Sequence, residues 1–393
     1  MNLPRRFPLF PRMPRGFSFC LTGLGAVLLF TLPRPHRADA DPAPTEPMER
    51  IQVGPGGTNF VGARTGRTFT PWGFNYDHDV AGTLLEDYWA TNWTDVAGDF
   101  AEMKSLGANV ARIHLQVGKF MRAPDQPSAE ALERLAKLVS LAESNRLYLD
   151  LTGLGCYHKA DIPPWYDAMS EEERWAVQSR FWEAVAATCR HSPAVFCYDL
   201  MNEPILPGSN PPETDWLARP LGDKHFVQRI TLDLKGRTRE AVARAWIDTL
   251  VSAIRRQDKE HLITVGVIPW AFVFPGAKPL FHHPDVGGRL DFVSVHFYPK
   301  TGEIPKALTA LQAYEIGKPL VVEEMFPLSC GVKDLEAFID GSRPYADGWI
   351  GFYWGRALED YEKGPVDIGG ALTREWLRLF RKKTGEILPA NTD

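Results

Sequence analysis

The segment AVFCYDLMNEP (Ala194–Pro204) begins as an apolar run and ends in an amide, a carboxylate and a proline. The run reads as a buried strand of a parallel sheet, apolar on both faces. Its polar ending marks the point where the chain leaves the sheet. Asn202 and Glu203 emerge there, free to meet a ligand, and Pro204 falls where no further ladder hydrogen bond is wanted.

Working outward, the same unit recurs. Strand candidates precede this one at TFTPWGFNY (Thr68–Tyr76), NVARIHL (Asn109–Leu115) and LYLDLTG (Leu147–Gly153). They follow it at LITVGVI (Leu262–Ile268), DFVSVHFYP (Asp291–Pro299), PLVVEEM (Pro319–Met325) and GWIGFYWG (Gly348–Gly355). Stretches of helical period lie between them. Ser128 is placed to cap SAEALERLAKLVSLAESNR, and Ser170 with Glu173 forms a capping-box pattern before WAVQSRFWEAV. Only the fifth connection, Pro269–Leu290, lacks a clear helix. Eight β-then-α units point to a parallel sheet closed as a (β/α)8 TIM barrel rather than a doubly wound open sheet. The expected organisation is one catalytic domain over residues 49–393, with an elaborated loop at Ile205–Arg237 forming a wall of the cleft.

In such a barrel, chemistry belongs at the C-terminal ends of the strands. In order, those ends carry Asn75 with Asp77, His78 and Asp79 close behind; Arg112 and His114; Thr152; Asn202 and Glu203; Trp270; His296 and Tyr298; Glu323 and Glu324; and Trp354. Polar groups above apolar strand bodies are unfavourable unless solvated or paired, so polar or aromatic residues closing nearly every strand are not chance.

Two carboxylates stand out. Glycosidic cleavage needs an acid for the leaving oxygen and a second carboxylate facing the anomeric carbon. Strands four and seven lie across a barrel mouth, so Glu203 and Glu324 can oppose each other over one sugar. Alternation puts Leu320, Val322 and Glu324 on one face and Val321 and Glu323 on the other. Both faces are apolar, so parity alone does not choose between the two glutamates. Glu323 is read as a surface carboxylate or the partner of a helix arginine.

LMNEP after a strand, then HFYP, KPLVVEEMF and FYW, with GANVARIHL earlier, resembles the cellulase-type glycoside hydrolase family 5 and its clan of retaining (β/α)8 enzymes. The likeness spans roughly Trp72 to Trp354. It implies Glu203 as acid/base and Glu324 as nucleophile. It further implies Asn202 on the sugar 2-hydroxyl, Arg112 and Tyr298 beside the nucleophile, His296 assisting the acid/base or binding sugar, and Trp354 as the floor under the sugar. His114, Asn75 and Trp270 join the expected substrate-binding set. No metal or organic cofactor is implied. Two departures bear on substrate preference: Thr152 stands where a histidine often ends strand three, with His158 six residues on, and EEMFP replaces the commoner Glu-Phe-Gly.

The rest of the sequence narrows the setting. Arg5, Arg6, Arg12 and Arg15 precede an apolar core at Phe17–Leu32 and then ADA at Ala38–Ala40. That is the pattern of a secretory signal peptide over residues 1–40, too short in its core for a membrane span. A flexible leader over 41–48 follows, and a secreted or periplasmic location is expected, with no stable membrane insertion. Beyond residue 40 the chain holds 38 basic against 48 acidic residues and no basic run, which argues against nucleic acid. Cys156, Cys189, Cys197 and Cys330 lack zinc-type pairing and read mostly as buried thiols. NYDHD (Asn75–Asp79) is assigned to sugar contacts or loop hydrogen bonds ahead of a metal. Trp72, Trp165, Trp216 and Trp270 are read as packing or stacking groups near strand ends; Trp175 and Trp182 belong to a helix core. The leading function is a β-glycoside hydrolase acting on glucan- or mannan-type polysaccharide. A catalytically dead sugar-binding barrel and a transglycosylase are the alternatives.

Overall fold

The computed structural model describes residues 46–208 and 212–388. The expected signal peptide and most of the leader lie outside the described residues. Eight parallel strands form the centre: β1 (Trp72–Asn75), β2 (Val110–Gln116), β3 (Tyr148–Gly155), β4 (Val195–Asp199), β5 (Leu262–Thr264, continued at Gly266–Val267), β6 (Val293–His296), β7 (Leu320–Glu324) and β8 (Gly348–Phe352). The break at Val265 closes the ring. The first half of β5 pairs with β4 and the second half with β6, while β8 pairs with β1. The result is the closed (β/α)8 barrel that the strand rhythm predicts.

A helix follows each strand: α1 (Trp93–Ser105), α2 (Ala129–Asn145), α3 (Glu171–Cys189), α4 (Arg239–Gln257), α5 (Trp270–Val273), α6 (Ile304–Gln312), α7 (Val332–Ser342) and α8 (Ile368–Ile387). Ser170 and Glu173 form the full capping box of α3, and Ser128 caps α2. The fifth helix is a single turn, as the weak periodicity there implies.

The first strand is shorter than the sequence suggests. Pro71, which has no N–H to donate, separates Thr68–Phe69 from β1. Thr68–Phe69 instead joins a small antiparallel sheet with Ile51–Val53 and Phe60–Gly62. This sheet plugs the N-terminal end of the barrel. Phe60 meets Phe196 and Phe292 edge-on, each at 5.2 Å between ring centroids. Val110, Leu262, Val321 and Ile350 complete that bottom layer, all buried.

One step higher the interior changes character. Asn75, Arg112, Asp150, Asp199, Thr264, Ser294 and Glu323 are all buried polar residues on the strands. Outward-facing strand residues pack on the helices; Trp72, for example, stacks on Phe380 at 4.3 Å and is core. Trp182 is likewise fully buried, and Trp175 is partly buried against the core. Cys156, Cys189 and Cys197 are buried free thiols and Cys330 is partly buried. No helix among the described residues is long and apolar enough to cross a membrane.

Candidate active site

The polar layer is organised by Arg112, whose side chain is wholly buried. One guanidinium nitrogen donates to Asn75 Oδ1 at 2.8 Å and to Glu324 Oε1 at 2.7 Å. The other donates to Asp199 Oδ2 at 2.8 Å and Asn202 Oδ1 at 2.9 Å. Burial disfavours its charge, but Glu323, Asp199 and Glu324 outweigh that and hold the guanidinium firmly cationic. A rigid planar fork suits this four-way role in a way an ammonium would not.

Glu323 departs from the expectation of a surface carboxylate. It is fully buried inside the barrel, accepts from Ser294 Oγ at 2.9 Å and lies 3.6 Å from Arg112. Burial works against its charge, yet Arg112 and His296 draw its pKa down to about 2. The physical reason lies in the register. Val295 pairs with Val322 and His296 with Glu324, so Glu323 is an extra residue on β7. A bulge of this kind re-aims side chains. Glu323 stays inside, and Glu324 turns over the rim into the mouth.

His296 links the two levels. It donates through Nδ1 to Glu203 Oε1 at 3.0 Å and through Nε2 to Glu323 Oε2 at 3.3 Å. Burial opposes its charge, but Glu324 and the bonds to Glu203 and Glu323 raise its pKa to about 10. Its Nδ1 also lies 3.4 Å from Glu324 Oε2. Tyr298 donates to that same oxygen at 2.5 Å. An oxygen of Glu203, a nitrogen of His296 and an oxygen of Glu324 all fall within 4.8 Å of one another.

Glu203 sits just beyond β4 with φ of 46°, a left-handed conformation that side chains rarely adopt. Its N–H is tied to Gly266 O at 2.9 Å. Strain of roughly 1–3 kcal/mol held at such a residue is typical of functional sites. Gly266 is itself required: a Cβ there would meet Glu323 Oε2 at 2.2 Å and His296 Nε2 at 2.6 Å.

Asp150, Asp199 and Glu323 also bring carboxylate oxygens within 4.8 Å of one another. Arg112 already serves Asp199 and Glu323, and its charge opposes a cation there. Burial, with the Glu323 charge second, pushes Asp150 well above the carboxylate range, so this side chain is neutral. Sequence reasoning missed Asp150, Asp199 and Ser294. The available signal was a carboxylate inside otherwise apolar strands, in LYLDLTG and VFCYDL.

Above this layer opens a cavity of about 350 Å³. Glu203, Glu324, Asn202, Tyr298, His114 and Trp354 all reach it. Trp354 stacks on His78 at 5.9 Å with planes 8° apart and packs on Phe352 and Phe326. His114 bonds to the Tyr157 hydroxyl, and burial followed by Arg112 keeps its imidazole neutral. The loop after β4 supplies Arg219, Leu221, Phe226 and Val227 to the wall. Asn202 Nδ2 donates to Phe226 O at 3.0 Å, which anchors that loop. Asp77 also lines the cavity, and burial raises its pKa.

Two expected substrate contacts lie elsewhere. Asn75 is buried beneath the cavity, donating to Glu323 O and Gly351 O and accepting from Arg112, so it positions the layer below. Trp270 stacks on Phe274 and lines a neighbouring cavity with Ile205 and Leu206. Trp216 is buried under Arg174, and Trp165 packs edge-on against Tyr166.

Comparison with known proteins gives the family of the chain. Residues 71–354 match the Cellulase (glycosyl hydrolase family 5) profile, and the chain belongs to that family. It is 26% identical over 259 residues to mannan endo-1,4-β-mannosidase A of Podospora anserina, covering 58% of this chain and 60% of that enzyme's length. An exo-β-1,4-mannosidase from Opitutaceae bacterium strain TAV5 superposes with a TM-score of 0.61 at 18% identity, over 86% of this chain and 64% of that one. The catalytic domain of Thermobifida fusca endoglucanase Cel5A gives 0.53 at 16% identity, over 85% of this chain and 97% of that one. These structural likenesses speak to the fold.

Proposed function

We propose that the protein is a retaining β-glycoside hydrolase acting on β-linked glycans of the glucan or mannan type. The observation that carries this is the closeness of Glu203 and Glu324, with an oxygen of each within 4.8 Å of the other and both against His296. Retaining enzymes hold their carboxyl groups about 5–5.5 Å apart, whereas inverting ones need roughly 6.5–9.5 Å to admit a water.

In this reading Glu324 attacks the anomeric carbon while Glu203 gives its proton to the departing oxygen. A glycosyl-enzyme ester forms on Glu324. Glu203, now a carboxylate, takes a proton from water, whose oxygen attacks the anomeric carbon and frees Glu324. Arg112 and Tyr298 orient the nucleophile from two sides. His296 holds Glu203 in place, Asn202 meets the 2-hydroxyl, and Trp354 lies under the ring. His114 faces the sugar as well. Asn75 acts through Arg112, and Trp270 serves a more distant part of the chain. Export through cleavage of residues 1–40 belongs to the same reading.

The test is the anomer first released from a β-1,4-mannan or a β-1,4-glucan oligosaccharide, followed by NMR. A β product is expected, and an α product would sink retention. A protein that binds these glycans without turnover would be the dead barrel. Longer products on adding a sugar acceptor would indicate the transglycosylase.

A further inference from the structure

Aliphatic side chains are unusual walls for a sugar site, because only flat rings stack on a pyranose while leucine offers contact to hydrocarbon alone. Among the described residues, the large apolar side chains at least half exposed are Val80, Leu221, Val273, Phe274, Leu328 and Ile368. All of them lie on the face where the strands end. Val80 follows β1, Leu221 β4, Val273 and Phe274 flank the end of α5, Leu328 follows β7, and Ile368 opens α8. The opposite face, closed by the antiparallel plug, presents none among the described residues. Scattered exposed apolar residues need no explanation, but those that line one cavity together, as Leu221 and Leu328 do, mark a binding surface.

Two of them belong to the catalytic cavity itself. Leu221, 71% exposed, and Leu328, 58% exposed, both line it together with Phe226 and Phe326. The wall bearing Leu221 and Phe226 belongs to the loop that begins directly after Glu203. The Phe226 carbonyl holds Asn202 at 3.0 Å, so this apolar wall is fixed to the site. At about 350 Å³ the cavity is near the lower end of the roughly 300–1,000 Å³ usual for small-molecule sites. That suits a short glycoside better than a long glycan.

We propose that this site also hydrolyses amphiphilic β-glycosides, in which the leaving group is a hydrocarbon chain that rests on Leu221, Leu328 and Phe226. This deepens the hydrolase reading and rests on it. The chemistry balances as above: the C1–O bond breaks, Glu203 protonates the alkoxide of the aglycone, and water supplies the hydroxyl of the freed sugar. The hydrocarbon contributes binding on release from water, in proportion to the methylenes covered.

The experiment compares kcat/KM for octyl and methyl β-glycosides of the same sugar, below the micelle concentration, with a matching β-1,4-disaccharide alongside. The expected result is an octyl-to-methyl ratio of about tenfold or more. In Leu221→Ser and Leu328→Ser that ratio falls several-fold. A ratio near one, or one that the serine variants leave in place, overturns the proposal even if the disaccharide is cleaved, and then the hydrolase reading stands. Failure to turn over any of the three substrates removes the hydrolase reading, and the proposal with it.

Discussion

The lower and upper layers of this barrel lie one above the other, yet they are opposites. Below, Phe60, Phe196, Phe292, Val110, Val321 and Ile350 make a hydrocarbon plug. Above, Arg112 gathers Asn75, Asp199, Asn202 and Glu324, and His296 joins Glu203 to Glu323. The lower layer is held by burial that any well-packed apolar set can supply. The upper layer is held by a few charge-assisted bonds, each of which leaves an uncompensated buried ion if its partner is lost. On the proposed function the difference teaches where stability and activity separate: the bottom carries stability alone, and the top carries both.

The largest effects should fall at the rim. Glu203→Gln is expected to lower kcat by about 10²–10⁴-fold, the usual contribution of a positioned acid/base. Glu324→Gln should be at least as severe, with circular dichroism still showing the folded barrel. Wild-type turnover in either variant would remove the proposed roles.

Next comes a matched pair, one residue from each layer. Arg112→Met strands buried carboxylates and should cost about 3–5 kcal/mol in denaturant unfolding, with loss of turnover. Phe60→Ala opens a cavity in the plug and should cost a similar amount, about 3–5 kcal/mol, while kcat persists below the melting range. If the Phe60 variant loses kcat as fully as the Arg112 variant, the two layers are not separable.

Ser294→Ala removes the 2.9 Å bond to the Glu323 carboxylate and should cost about 1.5–3 kcal/mol. A further effect concerns pH. His296 is raised from 6.5 to about 10, so the stability it contributes is fully present below 6.5 and fades as pH climbs through about 10. Tm should therefore decline across that window, and the decline should be shallower in His296→Asn. Equal slopes would mean the imidazolium contributes nothing.

Much of this molecule was legible in its chain. The β-then-α rhythm called for a closed barrel, and the strand ends held the polar residues that meet at its mouth. The family was legible as well, in LMNEP, HFYP, KPLVVEEMF and FYW, and its match runs over residues 71–354. Other features were hidden. Thr68–Phe69 and β1 read as one strand because the apolar pattern crosses Pro71 without a pause. Asn75 and Trp270 both end strands, but one is covered by its neighbours and the other turns aside onto Phe274. Asp150 and Asp199 were passed over because a lone carboxylate in an apolar run has no visible partner in one dimension; Arg112, which meets Asp199, is 87 positions away.

By itself, then, the order of residues determined the barrel and the set of strand-end groups, because hydrophobic period and turn chemistry are local properties. Only tertiary structure decided where Glu323 and Glu324 point. Both faces of β7 are apolar, so alternation could not choose, and the choice was made by one extra residue against β6. That bulge keeps Glu323 among Arg112, Ser294 and His296 and swings Glu324 to the mouth, since register between neighbouring strands is a property of the pair and not of either segment alone.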